Sequence, residues 1–225
     1  RFQHKDGVYF WYVFKLHSYY HQFTDCITRF AASYGDCKEP SGNTGCAGLG
    51  VGKCGFQTNH NVTLFTTKDL VTWTNEGVVF GAEGNLPPNS VLFAPKTVYN
   101  ANTKQWVMWF NYIVGSFSSS YYGVATSSSA TGPFKVVNKN VQLAQQDNGD
   151  QGVFVDEDLQ GYVIYTSIAL DHGISIERLT ANYTHSTQES SGVFGDKNSE
   201  APVLFRRGSV YYAVFGPCCC YCESG

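Results

Sequence analysis

Apolar and polar positions alternate along this chain in short runs, and nowhere do they settle into the three-to-four spacing of a helix. The clearest run is Thr103-Lys104-Gln105-Trp106-Val107-Met108-Trp109-Phe110, where turn-forming residues lead into aromatic and β-branched ones. The same arrangement stands at Asp6-Gly7-Val8-Tyr9-Phe10-Trp11-Tyr12, at Leu159-Gln160-Gly161-Tyr162-Val163-Ile164-Tyr165 and at Arg207-Gly208-Ser209-Val210-Tyr211-Tyr212-Ala213-Val214-Phe215. Each predicts a strand entered through a tight turn. A further strand is predicted ahead of three of these runs, over Val91 to Tyr99, Gln151 to Asp156 and Ala201 to Arg206. A hairpin is predicted after each of the first three runs: Val62 to Trp73, Tyr122 to Val137 and Ile174 to Leu179.

Four strands therefore recur as a unit, and its last three copies start about 50 residues apart. A β-sandwich built on a repeated hairpin gives short strands too, but it gives no reason for one four-strand unit to return. The expected fold class is all-β, a β-propeller with about four blades of four-stranded antiparallel sheet present. The whole chain, residues 1–225, is expected to be a single domain with a Cys/Gly-rich insertion at about 13–60.

Composition narrows the partners. Charged residues make up 15% of the chain and the formal net charge is -3, which gives no electrostatic reason to bind nucleic acid or an anionic membrane. No apolar run reaches the roughly 20 residues of a membrane span, and the opening Arg1-Phe2-Gln3-His4 is no signal peptide. A monomer is expected. The eight cysteines fall in two groups, Cys26, Cys37, Cys46 and Cys54, then Cys218, Cys219, Cys220 and Cys222. The first group lies about a Gly-rich stretch with little apolar surface to bury, where disulfides would supply the order. Zinc would need close pairs of ligands matched by a second pair or by histidines, and that pattern is missing. Free thiols are the remaining alternative. The sequons Asn61-Val62-Thr63 and Asn182-Tyr183-Thr184 also point to a secreted, extracellular protein.

Five segments in order carry a resemblance to glycoside hydrolase family 43. Thr67-Lys68-Asp69-Leu70-Val71-Thr72-Trp73 is similar to that family's hairpin S-x-D-L-V-x-W. Phe93-Ala94-Pro95-Lys96 stands where the family has W-A-P-D or R-P-K, and Asp150 to Asp156 resembles its D-x-x-x-F-x-D strand. Glu200-Ala201-Pro202 resembles E-A-P, and Val124 to Phe134 matches a further hairpin. The resemblance spans nearly the whole chain apart from about 13–32. It implies a five-bladed propeller, incomplete in this sequence, and so a fragment, that hydrolyses O-glycosidic bonds of a polysaccharide or oligosaccharide with inversion.

Inversion needs one protonated carboxyl to assist the leaving oxygen and one carboxylate to activate water. The resemblance implies Glu200 as the general acid and Asp150 as the carboxylate that orients it and strengthens its hold on the proton. A solvated loop-end Glu and an Asn-Gly-Asp turn are the plain readings of the same two residues. The implied base is an Asp on the first inner strand, upstream of Asp6-Gly7, and no residue of this sequence is assigned to it. A galactanase-like branch of the family carries Glu and Arg where Phe93 and Ala94 stand here, a departure that argues against galactan as substrate. Phe93 is expected to bind substrate by stacking on a sugar ring, whereas Trp11 and Trp109 are expected to pack between blades. His60 and His172 are expected at the surface, and Asp156, Glu157 and Asp158 to be solvated at a hairpin tip. Many members of the family hold calcium on the axis, its anchor lying beyond Gly225, so no cofactor or metal is expected on these residues. The runner-up function is a catalytically impaired carbohydrate-binding propeller.

Overall fold

The computed structural model describes residues 27–33, 57–81, 84–114, 119–145, 148–195 and 197–217. Thirteen strands and one short 3-10 turn at Ile168–Leu170 account for the regular structure there. β1 (Ile27–Ala32), β2 (Val62–Thr67) and β3 (Thr74–Phe80) form the first antiparallel sheet. β4 (Ser90–Asn100), β5 (Gln105–Val114), β6 (Ser119–Ser127) and β7 (Lys135–Asn138) form the second, in chain order. β8 (Asn148–Val155), β9 (Gly161–Ser167), β10 (Gly173–Leu179) and β11 (Ser186–Phe194) repeat the same meander. β12 (Ser199–Arg207) and β13 (Val210–Pro217) form the last described sheet. The chain is all-β, and its sheets are propeller blades, as the repeat predicts. β1 lies inside the stretch 13–60, and it pairs with β2 from Ile27↔Thr67 to Ala32↔Val62.

Apolar side chains fill the seams between successive blades, because a blade buries both faces except at its edges. Phe80, Met108, Phe110 and Phe134 pack between the first and second sheets. Trp109, Tyr122, Val153, Val163, Tyr165, Leu179 and Tyr183 fill the seam between the second and third. A smaller cluster of Ile164, Ile174 and Leu204 joins the third to β12. Each seam is also pinned by directional bonds. Trp109 Nε1 donates to the Tyr183 carbonyl at 2.7 Å, and Asn100 Nδ2 donates to the Ala181 carbonyl at 2.8 Å.

Local chemistry explains why the hairpin motif turns where it does. In Thr67 to Trp73, Asp69 Oδ1 accepts from the backbone N–H of Val71 at 2.8 Å and of Thr72 at 2.7 Å. The Thr67 hydroxyl accepts from the N–H of Leu70 at 3.0 Å. Those backbone donors, Thr72 first, hold the Asp69 carboxyl down at about 2. The motif is thus a self-capped turn between β2 and β3, built from side chains that replace ladder bonds.

Candidate functional site

Inner strands β4, β8 and β12 lie side by side, one from each of three successive blades. All three break register in the same way. Two residues, Ala94 and Pro95, oppose one residue of β5 between the pairs Phe93↔Asn111 and Lys96↔Trp109. Gly149 and Asp150 form the equivalent bulge between Asn148↔Ser167 and Gln151↔Tyr165, and Ala201 and Pro202 form it between Glu200↔Gly216 and Val203↔Val214. Ala94 and Ala201 adopt left-handed φ values of 48° and 56°, a conformation that costs an alanine about 1–2 kcal/mol. A bulge bends its strand and re-aims the adjacent side chains, a device common next to active sites. Phe93, Asp150 and Glu200 all sit at these bulges, and all three are half-buried. Phe93 and Glu200 hold the same register position, just before the bulge. Asp150 sits two positions further on, inside its own.

The bulges are tied to one another across blades. The Gly149 carbonyl accepts from Asn111 Nδ2 at 2.9 Å and from the Tyr122 hydroxyl at 2.7 Å, both in the preceding blade. In return, Gln151 Nε2 donates to the Ala94 carbonyl at 2.8 Å. On the other side, Gly152 approaches the Pro202 carbonyl so closely that a Cβ there would lie 2.8 Å from its oxygen. The Thr166 hydroxyl donates to the Ser199 carbonyl at 3.3 Å, next to Glu200. The turn after β9 reaches the same end of the blades. Ile168 rests on Gly149, and the N–H of Ser199 donates to the His172 carbonyl at 3.1 Å.

Behind Asp150 the seam is a run of phenols. Burial above all, and then the Asp150 carboxylate, push the Tyr122 hydroxyl far up, so it stays a neutral donor. The Tyr165 ring meets Tyr122 edge-on at 6.3 Å between centroids. Its hydroxyl donates to the buried carboxylate of Glu177, which also accepts from Ser186 Oγ and from the N–H of Ala144 at 2.9 Å. Burial, and then that bond to Glu177, raise the Tyr165 phenol as well. Glu177 is a buried carboxylate with its acceptors occupied, which anchors the segment entering β8.

Other expected residues fall elsewhere. Trp109 is fully buried in the seam, where its packing role was expected. Trp11, Asp6 and all eight cysteines lie outside the described residues, as do the disulfides expected of them. Two expectations are corrected. His60 is buried, not at the surface: its Nε2 donates to the Ser90 carbonyl at 2.9 Å and so fastens the entry to β4. Asp156 is buried too, although it belongs to a hairpin tip. It accepts from the Tyr211 hydroxyl and from Arg206 Nη1 at 2.9 Å, both in the next blade, whereas its neighbour Glu157 is 85% exposed. Sequence reasoning also passed over Asn111, Tyr122, Gln151 and Gly152. The only signal for them was their place: Asn111 opposite Phe93, Tyr122 opposite Asn111 in the next strand, and Gln151 and Gly152 just beyond a bulge.

Comparison with known proteins bears on the family and the fold. The family model for glycosyl hydrolases family 43 matches residues 53–224. A solved β-1,3-galactosidase of that family superposes with a TM-score of 0.67 at 22% identity, covering 89% of this chain and 39% of that one. A solved putative exo-β-1,3-galactanase from Bifidobacterium bifidum gives 0.65 at 24% identity, covering 86% and 59%. An endo-1,4-β-xylanase from Bacteroides thetaiotaomicron gives 0.63 at 17% identity, covering 87% and 60%. The chain thus spans between 39% and 60% of the length of these structures. No curated protein sequence matches it significantly.

Proposed function

The chain belongs to glycosyl hydrolases family 43, and from that membership we propose that it is a glycosidase hydrolysing O-glycosidic bonds of a polysaccharide or oligosaccharide with inversion. Glu200 is the general acid, Asp150 is the carboxylate that orients it, and Phe93 is a stacking surface for a sugar ring. The observation that carries this reading is the pair of matching bulges that bring Asp150 and Glu200 to the same end of adjacent inner strands. Leaving-group departure needs a proton donor placed on the glycosidic oxygen, and a neighbouring carboxylate makes a carboxyl hold that proton until it is needed. The Pro after Ala201 removes a backbone donor from the bulge, so Glu200 stands before a segment that cannot resume pairing at once. An extracellular location suits a polysaccharide substrate, which is too large to enter a cell.

The test uses the full chain on a panel of β-1,3-galacto-, β-1,4-xylo- and arabino-oligosaccharides. Sugar release is measured beside Glu200→Gln, and the anomer first formed is read by proton NMR. Loss of about 10²–10⁴-fold in the variant, with inverted product, is expected. Equal rates for the two proteins would end the reading. Binding without turnover would leave the carbohydrate-binding alternative, which Phe93 and the unassigned base favour.

A further inference from the structure

We propose that Asn111 and Tyr122 are positioning residues for Asp150, acting together through the Gly149 carbonyl. The proposal rests on the catalytic reading of Asp150 given above. Gly149 and Asp150 are the two bulged residues of β8, where regular pairing with β9 is interrupted between Asn148↔Ser167 and Gln151↔Tyr165. A bulge left to itself has soft torsions, so something outside its own sheet must set the direction of Asp150. The preceding blade does this with two donors on one oxygen, Asn111 Nδ2 at 2.9 Å and Tyr122 Oη at 2.7 Å, which together use both lone pairs of the carbonyl.

Neither donor is free to turn away. Asn111 is fully buried, and its Oδ1 accepts from Ser120 Oγ at 2.8 Å, so its amide nitrogen faces Gly149. Tyr122 is fully buried between Trp109 and Tyr165. A Cβ on Gly149 would meet Thr166 at 3.1 Å and Ile168 at 3.4 Å, so its own blade packs closely on the residue that bears the carbonyl. The carbonyl is gripped from one blade and backed by its own. Asp150 follows it by one residue, and the Tyr122 hydroxyl also lies 3.5 Å from the Asp150 carbonyl oxygen, so the clamp touches both bulged residues.

Tyr122→Phe removes one donor and keeps the ring. Tyr112→Phe is the control, because the Tyr112 hydroxyl donates to the Lys139 carbonyl at 2.6 Å and its ring packs in the seam with the first sheet, on the other face of β5 from Asn111. In Tyr122→Phe, kcat should fall about tenfold with KM changed less than about twofold, as for a small misplacement of a catalytic group. The alkaline limb of its kcat–pH profile should move to lower pH, because the acid loses the carboxylate that holds its proton. Tyr112→Phe should show neither effect. A second readout needs no turnover: the side-chain carboxyl 13C resonance of Asp150, assigned with Asp150→Asn, should move in Tyr122→Phe and stay in Tyr112→Phe. An unmoved resonance in Tyr122→Phe overturns the proposal. A moved resonance in a chain that hydrolyses nothing upholds the positioning and overturns the hydrolase.

Discussion

Replacing Gly152 with alanine tests the link between blade packing and the proposed acid, Glu200. The added Cβ would lie 2.8 Å from the Pro202 carbonyl oxygen, 3.2 Å from Ile164 Cγ2 and 3.8 Å from the Pro202 carbonyl carbon. Carbon and oxygen that are not bonded rest about 3.3 Å apart, so β12 must retreat by roughly half an ångström for van der Waals contact to be restored. Neither neighbour yields cheaply: one is backbone, and the other is a fully buried side chain. Overpacking of this kind costs about 1–3 kcal/mol. Glu200 is two residues from the displaced carbonyl, so a shift of half an ångström should also lower kcat/KM by about tenfold. Urea unfolding and initial rates of sugar release measure the two effects separately. Gly216→Ala is the matched comparison: Gly216 pairs with Glu200 itself, but a Cβ there has nothing within 4 Å. If Gly152→Ala kept both its urea midpoint and its kcat/KM within the range of Gly216→Ala, the inner strands would be looser than their spacing implies, and the reasoning would be refuted.

Two more outcomes follow from the seams. Trp109→Phe should destabilise the chain by about 2–4 kcal/mol in urea unfolding, since it opens a cavity and leaves the Tyr183 carbonyl without its 2.7 Å donor. Asp156→Asn should reveal a pH-dependent contribution. The Tyr211 hydroxyl first, then the Glu157 N–H and Arg206, hold the Asp156 carboxyl below its ordinary value. Its stabilisation is therefore present above the unfolded value of about 3.9 and lost as pH falls through the lower folded value. The stability gap between the parent chain and Asp156→Asn should be constant above about pH 5 and close below about pH 4, a result that urea midpoints across pH would check.

The strands were legible in sequence because a blade strand obeys a two-residue period and carries its turn residues beside it. Gln105 to Phe110 and Gly161 to Tyr165 became β5 and β9 for that reason. The segment Ile27–Ala32 gave no such signal: Arg29 and two small alanines blur the alternation, and its pairing with β2 joins residues 30 to 40 positions apart. Asp150 and Glu200 were singled out only through resemblance, since an acidic residue beside a turn is ordinary in itself. His60 and Asp156 were misjudged because burial is decided by a partner elsewhere in the chain. Asp156 has a tip's sequence, but Arg206 and Tyr211 cover it 50 and 55 residues later. Gly152 carries no local mark at all, and only the approach of the next blade makes its missing side chain necessary.

The cross-ties of the bulges bear on how the chain acquires function as it folds. Asn111 reaches 38 residues along the sequence to Gly149, and Gln151 reaches 57 back to Ala94. No single blade therefore contains a finished site, whatever its own strands have achieved. During synthesis the blade bearing Asp150 can pair its strands and meet the donors of the preceding blade while Ser199 and Pro202 of the next are still to come. Competence arrives only when neighbouring blades dock, in one step for both partners of each tie. If the proposed function holds, the onset of activity would be a clock for the last docking event.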